Sequence, residues 1–257
     1  NSTALFPSGG RTGKLLEELL EEEEVSFHPV QVSVETRENF IVVASSTNSQ
    51  YRFGMPGMTI PAIELDSLFN EFGNINPFPE IVVFSGSLPP QMPPEYLGKL
   101  VKIARQNAAL VIVDTSEKAL QHVLEEGVFL IKPNLGELGR LVGVDALDND
   151  SADEAARELI KSGKAEVIVV SLGPQGAYLV TKDIVEHIPA PTVKKLSTVG
   201  AGDSMVAGMV SVLARAGDYH EMVRMGVACG SAATMNAGTQ LFKKDDAMKL
   251  FRWLMSK

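Results

Sequence analysis

Two short stretches, STVGAGDSM at 197–205 and KPNLGEL at 132–138, place carboxylates where glycine, proline and asparagine mark turns. In the first, Asp203 stands directly behind Gly200, Ala201 and Gly202, at the start of an apolar run with helical spacing. A helix beginning near Gly200 leaves the N–H groups of Ala201, Gly202 and Asp203 unpaired, and its dipole adds positive potential there. Glycines let a phosphate approach such a backbone closely. A carboxylate beside that turn makes sense if it takes a proton from an attacking hydroxyl while the amides hold the transferring phosphoryl group. The alternative is that Asp203 only complements the dipole, a contribution of about 0.3–1 kcal/mol.

The second stretch offers Asn134 and, three residues on, Glu137. If a helix starts near Leu135, Glu137 lies in its first turn and can hold a magnesium water while Asn134 meets phosphate oxygens. The same pair also makes a helix cap, with Asn134 reaching the N–H of Glu137. Arg37 and Arg52 flank the polar loop SSTNSQ, and either planar fork could grip a phosphate or stay solvated.

Other phosphate motifs fail on particular residues. SGGRTGKL has Ser8 at the first Walker-A glycine and Leu15 in place of its Ser/Thr. GAGDSM has Met205 at the third glycine of a dinucleotide fingerprint. His28, His122, His187 and His220 are scattered without metal-ligand spacing. The single cysteine, Cys229, excludes an intrachain disulfide and reads as a small buried hydrophobe.

The elements that must position these residues follow from periodicity. GKLLEELLEEEE is a helix with Leu15, Leu16, Leu19 and Leu20 on one face and a solvated acidic end. A short antiparallel sheet is expected over roughly 30–56. Helices near 61–72, 94–106, 116–125, 135–142 and 152–162 then alternate with the apolar strands EIVVFSG, ALVIVDT, VFLIK and EVIVVSLG. That alternation is the mark of a parallel sheet covered on both faces. A strand pair, GAYLV and IVEHIP, precedes helices at 201–215, 219–236 and 245–255, whose methionines (Met205, Met209, Met222, Met225, Met235) read as core. Ligands of such sheets sit beyond the carboxyl ends of the strands, which directs attention to SGSLPP, KPNLGE, SLGPQG and STVGAGDSM.

With 257 residues, 45% of them hydrophobic, the chain can bury one large α/β core. Its formal charge of −9 and the lack of a basic tract argue against nucleic acid and anionic membrane as partners. No run approaches the roughly eighteen apolar residues of a membrane span, and the polar opening does not read as a signal peptide, so a cytoplasmic location is expected.

Together these residues resemble the ribokinase-like PfkB family of sugar kinases, and STVGAGDSMVAGM is similar to that family's C-terminal signature. The likeness runs over nearly the whole chain, through FPSGGRTG, TRENF, YRFGMPG, SGSLPP, KPNLGEL, VVSLGPQGA and GSAATMNAGT. It implies a ribokinase-like three-layer α/β domain with a mostly parallel sheet over 1–29 and 58–257, and a β lid over 30–57 that pairs with a second subunit. The family opens with a strand carrying a sugar-binding aspartate, the first lid strands and a Gly-Gly-x-x-x-Asn segment; these are expected to be missing ahead of NSTALFPSGG.

The resemblance further implies ATP-dependent phosphorylation of fructose 6-phosphate at its 1-hydroxyl, with Mg2+ as cofactor. Asp203 matches the family's base, and Gly200, Ala201 and Gly202 its anion hole. Lys132, Asn134, Ser171, Gly173, Gly176, Ser197 and Ser231 match nucleotide contacts, and Glu137 matches the magnesium-associated acid. Arg37, Asn39, Arg52 and Ser87 match sugar-phosphate contacts. Ser197, Val199, Ala233, Asn236 and Gly238 resemble a loop that holds a monovalent cation, K+. Tagatose 6-phosphate and fructose 1-phosphate are alternative acceptors that share these loops, and a nucleotide-binding module without catalysis is the alternative from another class.

Overall fold

The computed structural model describes residues 1–257 except Ser45, Asn48, Ser116, Asp145 and Ala146. Part of the SSTNSQ loop and the helix start expected at 116 therefore lie outside the described residues. The rest forms two compact units, one of Asn1–Pro79 with Leu88–Asn107, the other of Glu80–Ser87 with Ala108–Lys257. No helix among the described residues is long and apolar enough to cross a membrane.

In the first unit a strand the periodicity did not reveal, β1 (Ala4–Ser8), leads into α1 (Gly10–Glu22) and then β2 (Phe27–Gln31). β1 and β2 pair in parallel, so Phe27–Gln31 belongs to a βαβ unit and not to the antiparallel sheet expected from about residue 30. Side chains tie this unit together. The buried Ser8 hydroxyl donates to Glu17 at 2.6 Å, and Gln31 donates to the same oxygen at 3.1 Å. Glu35 accepts the Thr12 N–H at 2.7 Å and so occupies the start of α1, where a phosphate-binding loop would have its amides free. The leucines share one face of α1 as their spacing implies, and Leu15 and Leu19 on it remain half exposed in this unit. The antiparallel hairpin is confined to β3 (Asn39–Ala44) and β4 (Ser49–Gly54), which pair Phe40 with Phe53 and Ile41 with Arg52. Two helices, α2 (Ala62–Gly73) and α3 (Glu95–Gln106), complete the unit.

The second unit is built on one six-stranded sheet. Its strands are β5 (Ile81–Ser85), β6 (Leu110–Asp114), β7 (Val128–Ile131), β8 (Ala165–Ser171), β9 (Ala177–Val180) and β10 (Val185–Ile188), in the order β10-β9-β8-β7-β6-β5. β5 to β8 run parallel, and β9 and β10 add an antiparallel edge. The strand interiors are β-branched and apolar because both faces are covered. On β8, Val167 and Val169 pack with Met205, Met209, Met222, Val223, Phe251 and Leu254, while Ile168 and Val170 point to the opposite face and are equally buried. The first set of partners comes from α7 (Ala201–Leu213), α8 (Tyr219–Thr234) and α9 (Lys244–Met255). Further helices are α4 (Glu117–Glu126), α5 (Leu135–Val142) and α6 (Asn149–Lys161), and α6 packs against β8. Each fully buried Val, Leu or Ile side chain contributes about 1.5–3 kcal/mol.

α7 and α8 lie unusually close, and small residues permit it. A Cβ on Gly208 would stand 2.8 Å from the Met225 carbonyl and 2.9 Å from Cys229 Sγ; one on Gly226 would meet Met209 at 2.7 Å; one on Gly230 would meet the Ala201 carbonyl at 3.0 Å. The start of α7 is therefore set by backbone contact with α8. Burial pushes the Cys229 thiol up to about 11, so little thiolate forms at neutral pH.

Two predictions follow from this packing. Gly208→Ala is expected to lower the free energy of urea unfolding by about 1–3 kcal/mol through overpacking, and to make Cys229 reactive toward a thiol reagent in the folded protein. A variant of unchanged stability and silent thiol would mean that the helices have room to spare. In the first unit, Ser8 and Gln31 hold the Glu17 carboxyl below its ordinary 4.5, and the Thr12 amide does the same for Glu35. Their stabilisation is present above that ordinary value and is lost as pH falls through the lowered folded values. Glu35→Gln and Glu17→Gln should accordingly flatten the loss of thermal stability below pH 4.5, measured as unfolding midpoint against pH; curves parallel to wild type would exclude both contacts as its cause.

Candidate active site

Because β5 to β8 are parallel, the loops that follow them emerge at one edge of the sheet. Hydrogen bonds join these loops side by side. Thr115 Oγ1 donates to the Gly86 carbonyl at 2.7 Å, and the Gly86 N–H donates to the Asp114 carbonyl at 3.0 Å. The Lys132 N–H reaches the Val113 carbonyl at 3.3 Å, and the Ser171 N–H reaches the Pro133 carbonyl at 2.9 Å. Ser87, Lys132, Asn134, Ser171 and Gly173 thus lie along one continuous rim of the second unit. Gly176 has a packing reason of its own: a Cβ there would sit 2.0 Å from the Ile188 carbonyl.

The turn before α7 has the form its glycines suggest. Gly200 is the N-cap in the left-handed region, at φ 70°, with open space where a side chain would stand. The first helical bond is from Ser204 N–H to the Gly200 carbonyl at 2.8 Å, and Ala201 N–H reaches only the Thr198 carbonyl, at 3.5 Å. The amides of Gly202 and Asp203 precede that first helical bond and belong to the orphan donors of the helix start. Asp203 is exposed in the first turn.

Lys132 links this turn to the sheet. Its side chain is 7% exposed, and its Nζ lies 3.5 Å from the position a Gly202 Cβ would take. The same Nζ pairs with Asp114 Oδ1 at 3.2 Å, with the Asp114 side chain 18% exposed. Burial raises the Asp114 carboxyl above its ordinary range; the Lys132 charge and hydrogen bond pull it back, and the nearby charges of Asp203 and Glu137 push it up again. One ammonium and three carboxylates therefore share one electrostatic neighbourhood at the rim. Asp114 and Thr115 were not among the residues picked from sequence. The only signal was their place at the end of the apolar run ALVIV, where a parallel strand meets the ligand edge.

Asn134 and Glu137 form a full capping box at the start of α5. Glu137 N–H donates to Asn134 Oδ1 at 2.9 Å, and Asn134 N–H donates to Glu137 Oε2 at 2.9 Å. The cap and the ligand reading are compatible, because the box engages one carboxylate oxygen of Glu137, Oε2, and the side chain is only partly buried. Among the described residues no three His, Cys, Asp or Glu cluster as a metal cage. A single hard carboxylate fits Mg2+, which keeps several waters and takes phosphate oxygens as its remaining ligands.

The residues matched to a monovalent-cation loop also converge. Ser197 Oγ donates to the Gly238 carbonyl at 2.7 Å and accepts the Val199 N–H at 3.2 Å, while Ser197 N–H donates to the Thr234 carbonyl. Asn236 closes the end of α8 through the Ala232 and Ala233 carbonyls. Ser231 lies in the last turn of α8, beside the Gly230–Ala201 contact. In the first unit, the pleat puts Asn39 and Arg52 on one face of the hairpin, and the stacked Phe40 and Phe53 on the other. Asn39 Oδ1 accepts the Met55 N–H, and Arg37 lies against Gly57 just beyond the hairpin.

Comparison with known proteins finds relatives along nearly the whole chain. The ATP-dependent 6-phosphofructokinase isozyme 2 of Escherichia coli is 43% identical over 255 residues, covering 99% of this chain and 82% of that protein. The 1-phosphofructokinase of Bacillus subtilis is 32% identical over 243 residues, 94% of this chain and 78% of that protein. Crystal structures of phosphofructokinase-2 from Escherichia coli, one in complex with potassium and one with substrates and products, superpose with TM-scores of 0.94 and 0.92. Each is 43% identical and covers 98% of this chain and 82% of the other. The model of the pfkB family carbohydrate kinases matches residues 1–246. With a parallel-sheet rim, a glycine turn that leaves amides free and an acid in the first turn behind it, this chain belongs to the pfkB family of carbohydrate kinases.

Proposed function

We propose that this chain is an ATP-dependent 6-phosphofructokinase, transferring the γ-phosphoryl group of ATP to the 1-hydroxyl of fructose 6-phosphate. The observation that carries the reading is the exposed Asp203 in the first turn of α7, immediately behind a turn whose leading amides have no helical partner and beside which the Lys132 ammonium lies. Asp203 takes the proton of the 1-hydroxyl as that oxygen attacks. The Gly200–Asp203 amides and Lys132 hold the charge that develops on the transferring group. Asn134, Ser171, Gly173, Gly176, Ser197 and Ser231 orient the nucleotide, and Glu137 would hold Mg2+ through water. Bound there, the metal would neutralise charge on the β- and γ-phosphate oxygens.

Arg37, Asn39, Arg52 and Ser87 bind the acceptor's phosphate and hydroxyls, with the arginine forks matched to phosphate. The family resemblance assigns the hairpin the part of a lid, which would keep water from competing as acceptor. Its other face, with Phe40, Val42, Tyr51 and Phe53 all exposed, is suited to pairing with a second copy of the chain as a homodimer. The Ser197–Gly238 loop would take K+, as suggested by the potassium complex of the Escherichia coli protein. A cytoplasmic site of action fits a phosphorylated substrate and nucleotide supplied inside the cell. Fructose 6-phosphate is favoured over fructose 1-phosphate because identity is 43% to the 6-phosphofructokinase and 32% to the 1-phosphofructokinase.

Asp203→Asn is expected to lower kcat by about 10²–10⁴-fold and to leave the calorimetric affinity for MgATP near wild type. Turnover at the wild-type level would remove Asp203 from the proton transfer. Comparing kcat/KM for fructose 6-phosphate, tagatose 6-phosphate and fructose 1-phosphate tests the acceptor, and a clear preference for either of the last two would replace the proposed substrate.

A further inference from the structure

We propose that Asp114 is a positioning residue for phosphoryl transfer: its carboxylate holds the Lys132 ammonium against the Gly200–Asp203 turn. This rests on the kinase reading above and adds a part that the sequence motifs did not include. Lys132 has a long flexible stem, and a buried ammonium without a partner is costly. Among the described residues, Asp114 is the one carboxylate within ion-pair distance of it, at 3.2 Å. The pair is itself well held. Asp114 ends β6, its carbonyl accepts the Gly86 N–H, and the next residue clamps the Gly86 carbonyl through Thr115 Oγ1. Lys132 follows β7, and its own N–H is anchored on the Val113 carbonyl, one residue before Asp114. Two adjacent strand ends therefore fix both ends of the ion pair, and the ammonium is delivered 3.5 Å from the Cβ position of Gly202.

The acid serves orientation more than charge. A neutral residue at 114 would leave the surroundings of Lys132 more positive overall, yet would release the Lys132 head from the turn. The loss should fall on the step in which charge moves onto the transferring group, and so on kcat more than on nucleotide binding.

The test is a double-mutant cycle. Asp114→Asn is expected to lower kcat by about 10- to 100-fold, the scale of a catalytic group displaced by about 1 Å, with KM for MgATP changed less than kcat. Asp114→Glu should recover part of the loss. Lys132→Met should lower kcat at least as far, and adding Asp114→Asn to it should change little more, because the two act as one unit. Losses that multiply in the double variant would overturn the proposal, as would a magnesium requirement raised by Asp114→Asn, since either means that Asp114 acts on its own account. Thermal unfolding of each variant, with Asp114→Ser as a second neutral replacement, guards against a folding defect; if both neutral variants keep the wild-type midpoint and kcat, the proposal fails. A wild-type chain that turns over a different sugar phosphate refutes the substrate reading alone, and the cycle is then run on that substrate. If it turns over none of the three, the cycle is read from MgATP affinity by calorimetry, where coupling between 114 and 132 sustains the ion-pair role and strict additivity ends it.

Discussion

The chemistry proposed for the sheet rim depends on a few main-chain amides at the start of α7 that have no helical partner. Their position is set by close approach of two helix backbones, which Gly208, Gly226 and Gly230 permit. A side chain at any of the three would push α7 away from α8 and move the amides with it. The dense core of methionines and valines between these helices and the sheet fixes the other direction. What looks like packing at one end of α7 is therefore alignment at the other.

The charge distribution follows the same logic. A chain with a formal charge of −9 must present a locally positive site to bind phosphates. On the proposed reading it would do so with the leading amides of α7, the helix dipole and one ammonium, Lys132, which pairs with Asp114. Asp203 would then stand close to phosphate without closing the site to it. The capping box at α5 shows a similar economy, since it fixes Glu137 in place through one of its two carboxylate oxygens.

Much of this was legible in the sequence, for physical reasons that differ by element. The buried strands read clearly because they are short apolar β-branched runs between amphipathic helices, and the Gly200 turn because only glycine sits easily at positive φ ahead of a helix. β1 was missed because a five-residue strand containing Pro7 shows little alternation, and its parallel partner lies beyond a whole helix. The half-exposed Leu15 and Leu19 show that spacing reveals an apolar stripe but not whether anything covers it. Asp114 escaped notice because the role proposed for it rests on contacts with Lys132 and, through it, Gly202, which are far apart in the chain. An aspartate at the end of a strand has no local mark of function.

The central claim, a carboxylate accepting the acceptor's proton beside amides that hold the migrating phosphoryl group, is tested most directly by a crystal structure. The chain would be crystallised with fructose 6-phosphate and a non-hydrolysable ATP analogue. The account predicts an Asp203 carboxylate oxygen within about 2.6–3.2 Å of the sugar's 1-hydroxyl, with γ-phosphate oxygens on the Gly202 and Asp203 amides and on Lys132. An Asp203 turned away from the sugar, or a γ-phosphate bound elsewhere on the rim, would contradict it.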